Sequence, residues 1–313
     1  MTKLHVVNGS SVTEILAAAG IAGRVVEYAD VLHEGPVPNL AEGPGGPVPN
    51  LDDVRADFLA ACGWTGRDDA RHYITEWMDL FARSADFDEV VLWYEHDLFD
   101  QLLLCRILDW CGRHPHGEPL SLVSPADYLG HQTTAQMMAL FEARRPVTDA
   151  QLGLGAATWQ AFTAPRPLQL SRLVRDEDTT ALPHLDGALR RLLEEYPSPV
   201  TGLGRTEWQV LAILDQSPLT AFDLFAANAR REERVFMGNT TFFLRLDRML
   251  AARRPLIMRA LPDGPLEITD NGRKVLGGEQ DDVAINGIDR WIGGVHLTAD
   301  NDWRWDGGEM RKA

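Results

Sequence analysis

The sequence predicts an α/β chain: an open, mainly parallel Rossmann-like sheet, followed by a helical segment and a winged-helix domain. Three observations carry this expectation. Short β-rich runs alternate with helical patterns through residues 4–124. Each of those runs ends in polar or ionisable residues. Farther on, three helical patterns are followed by a hairpin turn. At 313 residues the chain exceeds what one core usually needs. The expected organisation is an α/β domain over 1–130, a helical connector over 131–200, a winged-helix domain over 201–280, and a Trp-rich tail over 281–313 that docks on the body.

Each element has a local reason. "LHVVN" (4–8) is a strand-like run followed by Gly9 and the capping pattern Ser11-x-x-Glu14, so a helix is expected from Val12 to Ala19, ending at Gly20. "RVVEY" (24–28) is the second strand. A Pro/Gly-rich loop follows, in which "GPVPNL" at 35–40 recurs at 46–51; local duplication explains it better than a flap over a site. Helices are expected near 52–62 and 68–84, then the strand "EVVLWY" (89–94), the helix "LFDQLLLCRILDWC" (98–111) and the strand "PLSLVS" (119–124). From 133 to 196 the pattern is helical throughout. Helices over 205–216, 220–230 and 239–252, with a hairpin through Pro262-Asp263-Gly264, give the winged-helix order.

Ligands of open parallel sheets sit beyond the carboxyl ends of the strands, where crossover helices begin and offer free N–H groups. Strand one ends in Asn8, Gly9, Ser10 and Ser11. Strand two ends in Asp30, His33 and Glu34. Strand three ends in Glu95, His96 and Asp97, with Asp100 and Gln101 one turn on, and strand four in Ser124 and Asp127. Taken singly, Asp97 reads as a helix cap and Asp100 as a complement to the helix dipole. Glu95 and His96 precede the cap position and need another reason. In the functional reading His96 is a general acid/base oriented by Glu95 or Asp97, and His33 and Glu34 close the other side. Ser10 and the helix start would hold an anionic group. Asp30, His33, Glu95, His96 and Asp97 are plausible metal ligands, but no spacing names an ion; His-Pro-His at 114–116 reads as a surface turn.

The totals exclude several classes. "NGSS" lacks the GxGxxG fingerprint and the Walker lysine, so neither a nicotinamide, flavin nor P-loop nucleotide signature is present. Hydrolysis or group transfer on a polar small molecule is therefore expected over redox chemistry. Ser10 lacks a nucleophile elbow around it. Cys62, Cys105 and Cys111 are odd in number and have no CxxC spacing, which argues against a disulfide framework or zinc knuckle. No apolar stretch reaches membrane-spanning length, and "MTKLHVVNG" enters strand-like sequence without a secretory pattern, so a cytoplasmic location is expected.

Net charge is −16, which argues against a general polyanion binder, yet between Gly204 and Gly278 eleven Arg/Lys meet nine Asp/Glu. The second functional expectation is thus a ligand-responsive DNA-binding protein. Phe242, Phe243, Leu246 and Leu250 would form the core stripe of the third helix, leaving Thr241, Arg245 and Arg248 outward and Arg253 and Arg254 near phosphates. A scaffold using the Pro-rich loop and Trp-rich tail ranks last. In that tail, docking would bury about 150–250 Å² per Trp. Asn286, Asp289, Arg290 and His296 are expected to anchor the docking; a sharper alternative folds Arg290 or His296 over the sheet edge.

"HVVNGSSV" (5–12), "DVLHEGPVP" (30–38) and "LWYEHDLFDQLLL" (92–104), in this order, resemble a bacterial family known as domain of unknown function eighteen thirty-five. The likeness continues through "PVTDAQL" (146–152), "GLGRTEWQ" (202–209) and "NGIDRWIGGVHL" (286–297), nearly the whole chain. It implies the same domain order and supplies no activity. The family's first motif carries an acidic residue after its glycine, where this chain has Ser10, which implies an altered site.

Overall fold

Strand-like runs of Val, Leu and Trp become a parallel sheet because helices cover their faces. β1 (Lys3–Val7), β3 (Glu89–Trp93) and β4 (Leu120–Val123) are buried along nearly their whole length, while β2 (Arg24–Glu27) is half-exposed. In the computed structural model, which describes residues 2–40, 49–83, 86–114, 119–259, 261 and 264–313, the strand order is β2-β1-β3-β4, with a fifth, two-residue strand (β5, Arg145–Pro146) beyond β4. Part of the second loop repeat (46–51), His-Pro-His beyond His114 and the Pro262-Asp263 turn lie outside the described residues.

β1 pairs in parallel with both β2 and β3, and β3 with β4; Val7 stands opposite Glu27 on one side and Trp93 on the other. After β1 the chain moves one way to β2, then returns past β1 to β3. The order therefore reverses between β1 and β3, which defines the sheet's topological switch point. The first crossover contains α1 (Ser10–Ala18), and the second contains α2 (Leu51–Ala61) and α3 (Arg67–Phe81). α4 (Leu98–Arg113) follows β3 and is buried over most of its length.

Two sequence expectations change here. Ser11 does not cap α1: the cap is Gly9, which makes no side-chain bond, and both serines fall inside the first turn. The segment 133–196 is not helical throughout. Between α5 (Thr134–Ala143) and α6 (Asp149–Thr163), β5 (Arg145–Pro146) adds an antiparallel edge to β4. Pro146 fits there because an edge strand tolerates a missing N–H. α7 (Leu168–Asp176) and α8 (Leu185–Leu193) complete the segment.

One core cluster joins Val7, Val91, Trp93 and Val123 of the sheet to Val12 and Leu16 of α1 and Met137 of α5. On α6, Gly155 has no room for a side chain, since a Cβ would run into Leu108 of α4. Buried ion pairs brace this unit. Arg55 of α2 holds Asp30, and Arg106 of α4 holds Asp52, with all four side chains fully buried.

The described chain divides into two units, 1–189 with 293–295, and 190–292 with 296–313. The second contains α9 (Arg205–Leu214), α10 (Ala221–Ala229), α11 (Asn239–Ala251) and an antiparallel hairpin of β6 (Ile257–Arg259) and β7 (Leu266–Ile268). Leu219, before α10, bridges Leu266 and adds a third extended segment. α12 (Asp270–Leu276) and α13 (Asp282–Asn286) follow. The tail has more regular structure than its sequence pattern indicates: β8 (Arg290–Ile292), β9 (Val295–Leu297), and a hairpin of β10 (Trp303–Trp305) with β11 (Met310–Lys312).

At the centre of the second unit lies Glu195. Its carboxylate receives Arg191 (2.7 Å), Arg290 (2.9 Å), Arg245 and the Thr206 hydroxyl (2.6 Å). Asn286 ties to Arg254, and His296 pairs with Asp289 at 2.7 Å while stacking on Trp291. Asn286, Arg290 and His296 thus each have partners within the second unit. No helix among the described residues is long and apolar enough to cross a membrane.

Candidate functional site

β1 and β3 are parallel and in register, so the residues that follow them leave the sheet at one edge, at the switch point. That places Asn8 beside the start of α4. The Asn8 amide donates to both oxygens of Asp100 (3.0 and 2.9 Å) and to Glu95 Oε1 (3.3 Å). Asp100 also accepts the Glu95 amide, while its own amide donates to Asp97 Oδ1 at 3.2 Å, the N-cap bond of α4. Gln101 Nε2 donates to the Glu95 carbonyl at 2.6 Å, and the Leu129 amide donates to Glu95 Oε2. One oxygen from each of Glu95, Asp97 and Asp100 falls within 4.8 Å of the others, and all three residues are buried.

Amides solvate Glu95 and Asp100, and an amide cannot neutralise a charge. Burial pushes Glu95 up to about 7; Asp97 adds to the rise, and the Leu129 and Asn8 donors oppose it. Burial, then Asp97 and Glu95, drive Asp100 well above the usual carboxylate range. Close carboxylates cannot all ionise cheaply, so the cluster retains a proton near neutrality. The same oxygens are hard donors of the kind that bind magnesium or calcium, so Glu95, Asp97 and Asp100 are the residues that could hold a divalent cation.

The retained proton makes stability depend on pH. Glu95 in the folded chain keeps a proton that the unfolded chain has already released above its ordinary value. Folding is therefore favoured most at and below that value, and the advantage is lost as pH rises to about 7. Glu95→Gln, which is never charged, is expected to match the parent at about pH 5 and to exceed it by up to about 3 kcal/mol at about pH 8. Urea unfolding at the two pH values tests this. A variant less stable than the parent at the higher pH would show that the carboxylate is not held proton-rich.

The other residues predicted from strand ends divide into two groups. His96 is 6% exposed, with its ring on Tyr128 (centroids 4.8 Å) and 6.1 Å from His184, whose Nε2 lies 3.3 Å from the Ser124 carbonyl. His33 is buried and meets Phe99, in the first turn of α4, edge-on at 6.1 Å. These two histidines flank the start of α4. Asp30 is a correction. Asp30 is clamped by Arg55 (2.7 and 3.0 Å) and serves as a structural anchor; Glu34 is buried, and its backbone carbonyl takes the same guanidinium at 2.8 Å. Ser10 and Ser11 are exposed on α1 and make none of the bonds that assemble the carboxylates. Three carboxylates also make the edge a poor host for a free anion, against the phosphate-turn reading of Gly9 to Ser11.

In the second unit the DNA-facing reading loses two residues. Thr241 and Arg245 are 2% and 1% exposed, because Arg245 reaches inward to Glu195 and to Glu207 (2.9 Å). The buried stripe of α11 is Thr241, Phe242, Arg245, Leu246 and Met249, rotated from the one expected, with Phe243 and Leu250 only half-buried. Arg248, Arg253 and Arg254 remain exposed.

Sequence reasoning missed Leu129, Tyr128 and His184. The strand-end rule pointed to the loop after β4 but named Ser124 and Asp127, and Asp127 is exposed. A backbone N–H, such as that of Leu129, leaves no mark in residue identity. No family model matches the chain, and no curated protein matches it.

Proposed function

We propose that the first unit is a small-molecule enzyme of hydrolase or group-transfer type, with the Glu95–Asp100 pair as its proton-handling centre. The single observation behind this reading is the Asn8 amide bridging two buried carboxylates at the switch point of a parallel sheet. A carboxylic acid with a pKa near 7 can give a proton to a leaving oxygen and take one from water at the same pH. Burial and the charge of Asp97 keep Glu95 basic, and the Leu129 amide and Asn8 orient it. His96, with Tyr128 and His184 beside its ring, is a second acid/base candidate. A polar, cation-tolerant substrate fits such an acidic edge; an anionic one requires a divalent cation at the three carboxylates.

The test compares the parent, Glu95→Gln and His96→Ala on phosphoester, ester and nucleotide libraries, with and without magnesium. Glu95→Gln is expected to lower turnover of the responsive class by about a hundredfold or more, and His96→Ala by less. Equal turnover by folded Glu95→Gln would remove the carboxylate from the chemistry.

Finer readings belong to the same proposal: a Rossmann-like first unit, a winged helix in the second, membership of the resembled bacterial family, and a cytoplasmic location. Inward-turned Arg245 favours packing or protein binding over DNA reading for that winged helix, although Arg248, Arg253 and Arg254 keep a phosphate-facing role in view.

A further inference from the structure

A cavity of about 500 Å³ opens beside the residues that follow β2 and against α3. Its size suits a small molecule rather than a protein partner. Asp30 and Leu59 are among its lining residues, together with Trp64, Asp69, Tyr73 and Glu76. The Trp64 ring is braced edge-on against Phe58, with centroids 5.8 Å apart and planes at 84°. Tyr73 is partly exposed. Burial, with the charges of Glu27 and Asp30, pushes its phenol up to about 12, so the hydroxyl is a proton donor at neutral pH.

Three carboxylates line the cavity, and their neutralisation is uneven. Asp30 is spent on Arg55. Glu76 meets Arg24 only at 3.7 Å, with both side chains well exposed, a pairing worth little in water. Asp69 is exposed on the first turn of α3. Two aromatic rings with weakly compensated carboxylates repel anions, and they favour a positive charge carried on an apolar body.

We propose that this cavity binds a monovalent organic ammonium, with its apolar body against Trp64, Tyr73 and Leu59 and its charge held by Asp69 and Glu76. The site is independent of the Glu95 cluster and of the activity proposed for it.

Phenethylammonium and its near-isosteric anion hydrocinnamate serve as probes, with binding read by saturation-transfer NMR and calorimetry on the full chain. The ammonium is expected to bind saturably and the carboxylate not at the same concentration. Asp69→Asn/Glu76→Gln should weaken the ammonium by about tenfold or more, and Trp64→Ala should weaken it comparably. Glu95→Gln should bind the ammonium as the parent does, whatever becomes of its turnover. Equal binding of both probes, no saturable binding of the ammonium, or unchanged affinity in the folded Asp69→Asn/Glu76→Gln variant would each overturn the assignment. The two carboxylates are surface groups, so that variant keeps the test valid even where Trp64→Ala perturbs folding.

Discussion

Glu195→Ala is expected to destabilise the second unit by about 3–5 kcal/mol, enough to unfold it in many backgrounds. The carboxylate is 1% exposed and is the common acceptor of Arg191, Arg245 and Arg290. Burial alone would raise its pKa. The charges of Arg245, Arg191 and Arg290 overcome that and hold it well below the usual carboxylate range. Deletion leaves three guanidiniums gathered around a hole, with Glu207 and Glu232 among the groups left to share them. The sign in pH follows from the lowered pKa: the stabilisation is present above the unfolded-state value and fades as pH falls through the folded one. Glu195→Gln, which keeps the acceptor but not the charge, should fall between parent and alanine. Urea unfolding followed by circular dichroism measures all three. A loss below about 1 kcal/mol for alanine would mean that Glu207 and Glu232 suffice as counter-ions.

Arg55→Met should cost the α/β unit a similar amount, for a different set of reasons. Arg55 and Asp30 have no exposed side-chain surface, and the guanidinium also donates to the carbonyls of Val31 (3.2 Å), Glu34 (2.8 Å) and Pro36 (3.2 Å). Removing it takes the partner from one buried carboxylate and a donor from the Glu34 and Pro36 carbonyls, while Val31 keeps the Glu34 amide (2.9 Å), a loss of about 3–5 kcal/mol. Asp30→Leu added to Arg55→Met should recover a substantial part, because an apolar pair carries no desolvation penalty. The Glu34 and Pro36 carbonyls still lack the guanidinium, so recovery stops short of the parent. Additive losses in this double-mutant cycle would contradict a direct coupling between the two residues.

How far the chain could be read in advance depended on the range of each interaction. β1 to β4 and the cap Asp97 rest on patterns within ten residues, and they were legible. So were Asn8, Glu95, Asp100 and Gln101 as candidates, because parallel strands deliver their carboxyl ends to one edge whatever lies between. Asp30 was misread because its partner sits 25 residues away on α2. Thr241 and Arg245 were misread because an arginine was assigned to the polar face of α11, while Glu195, 50 residues earlier, pulls it inward. Ser11 looked like a cap because its spacing to Glu14 is right, but Gly9 makes the turn. His184 comes from a segment that no strand-end rule inspects.

The Asn8 bridge spans 87 residues to Glu95 and 92 to Asp100. Closing so large a loop must precede any reward from that contact, and parallel pairing of β1 with β3 is itself non-local. A chain emerging from the ribosome therefore holds Asn8 without its acidic partners until β3 and the beginning of α4 have been synthesised. The mutual repulsion of the carboxylates is met only as the tertiary structure closes, so substitutions that relieve it should speed folding or slow unfolding according to how much of the edge is formed at the barrier.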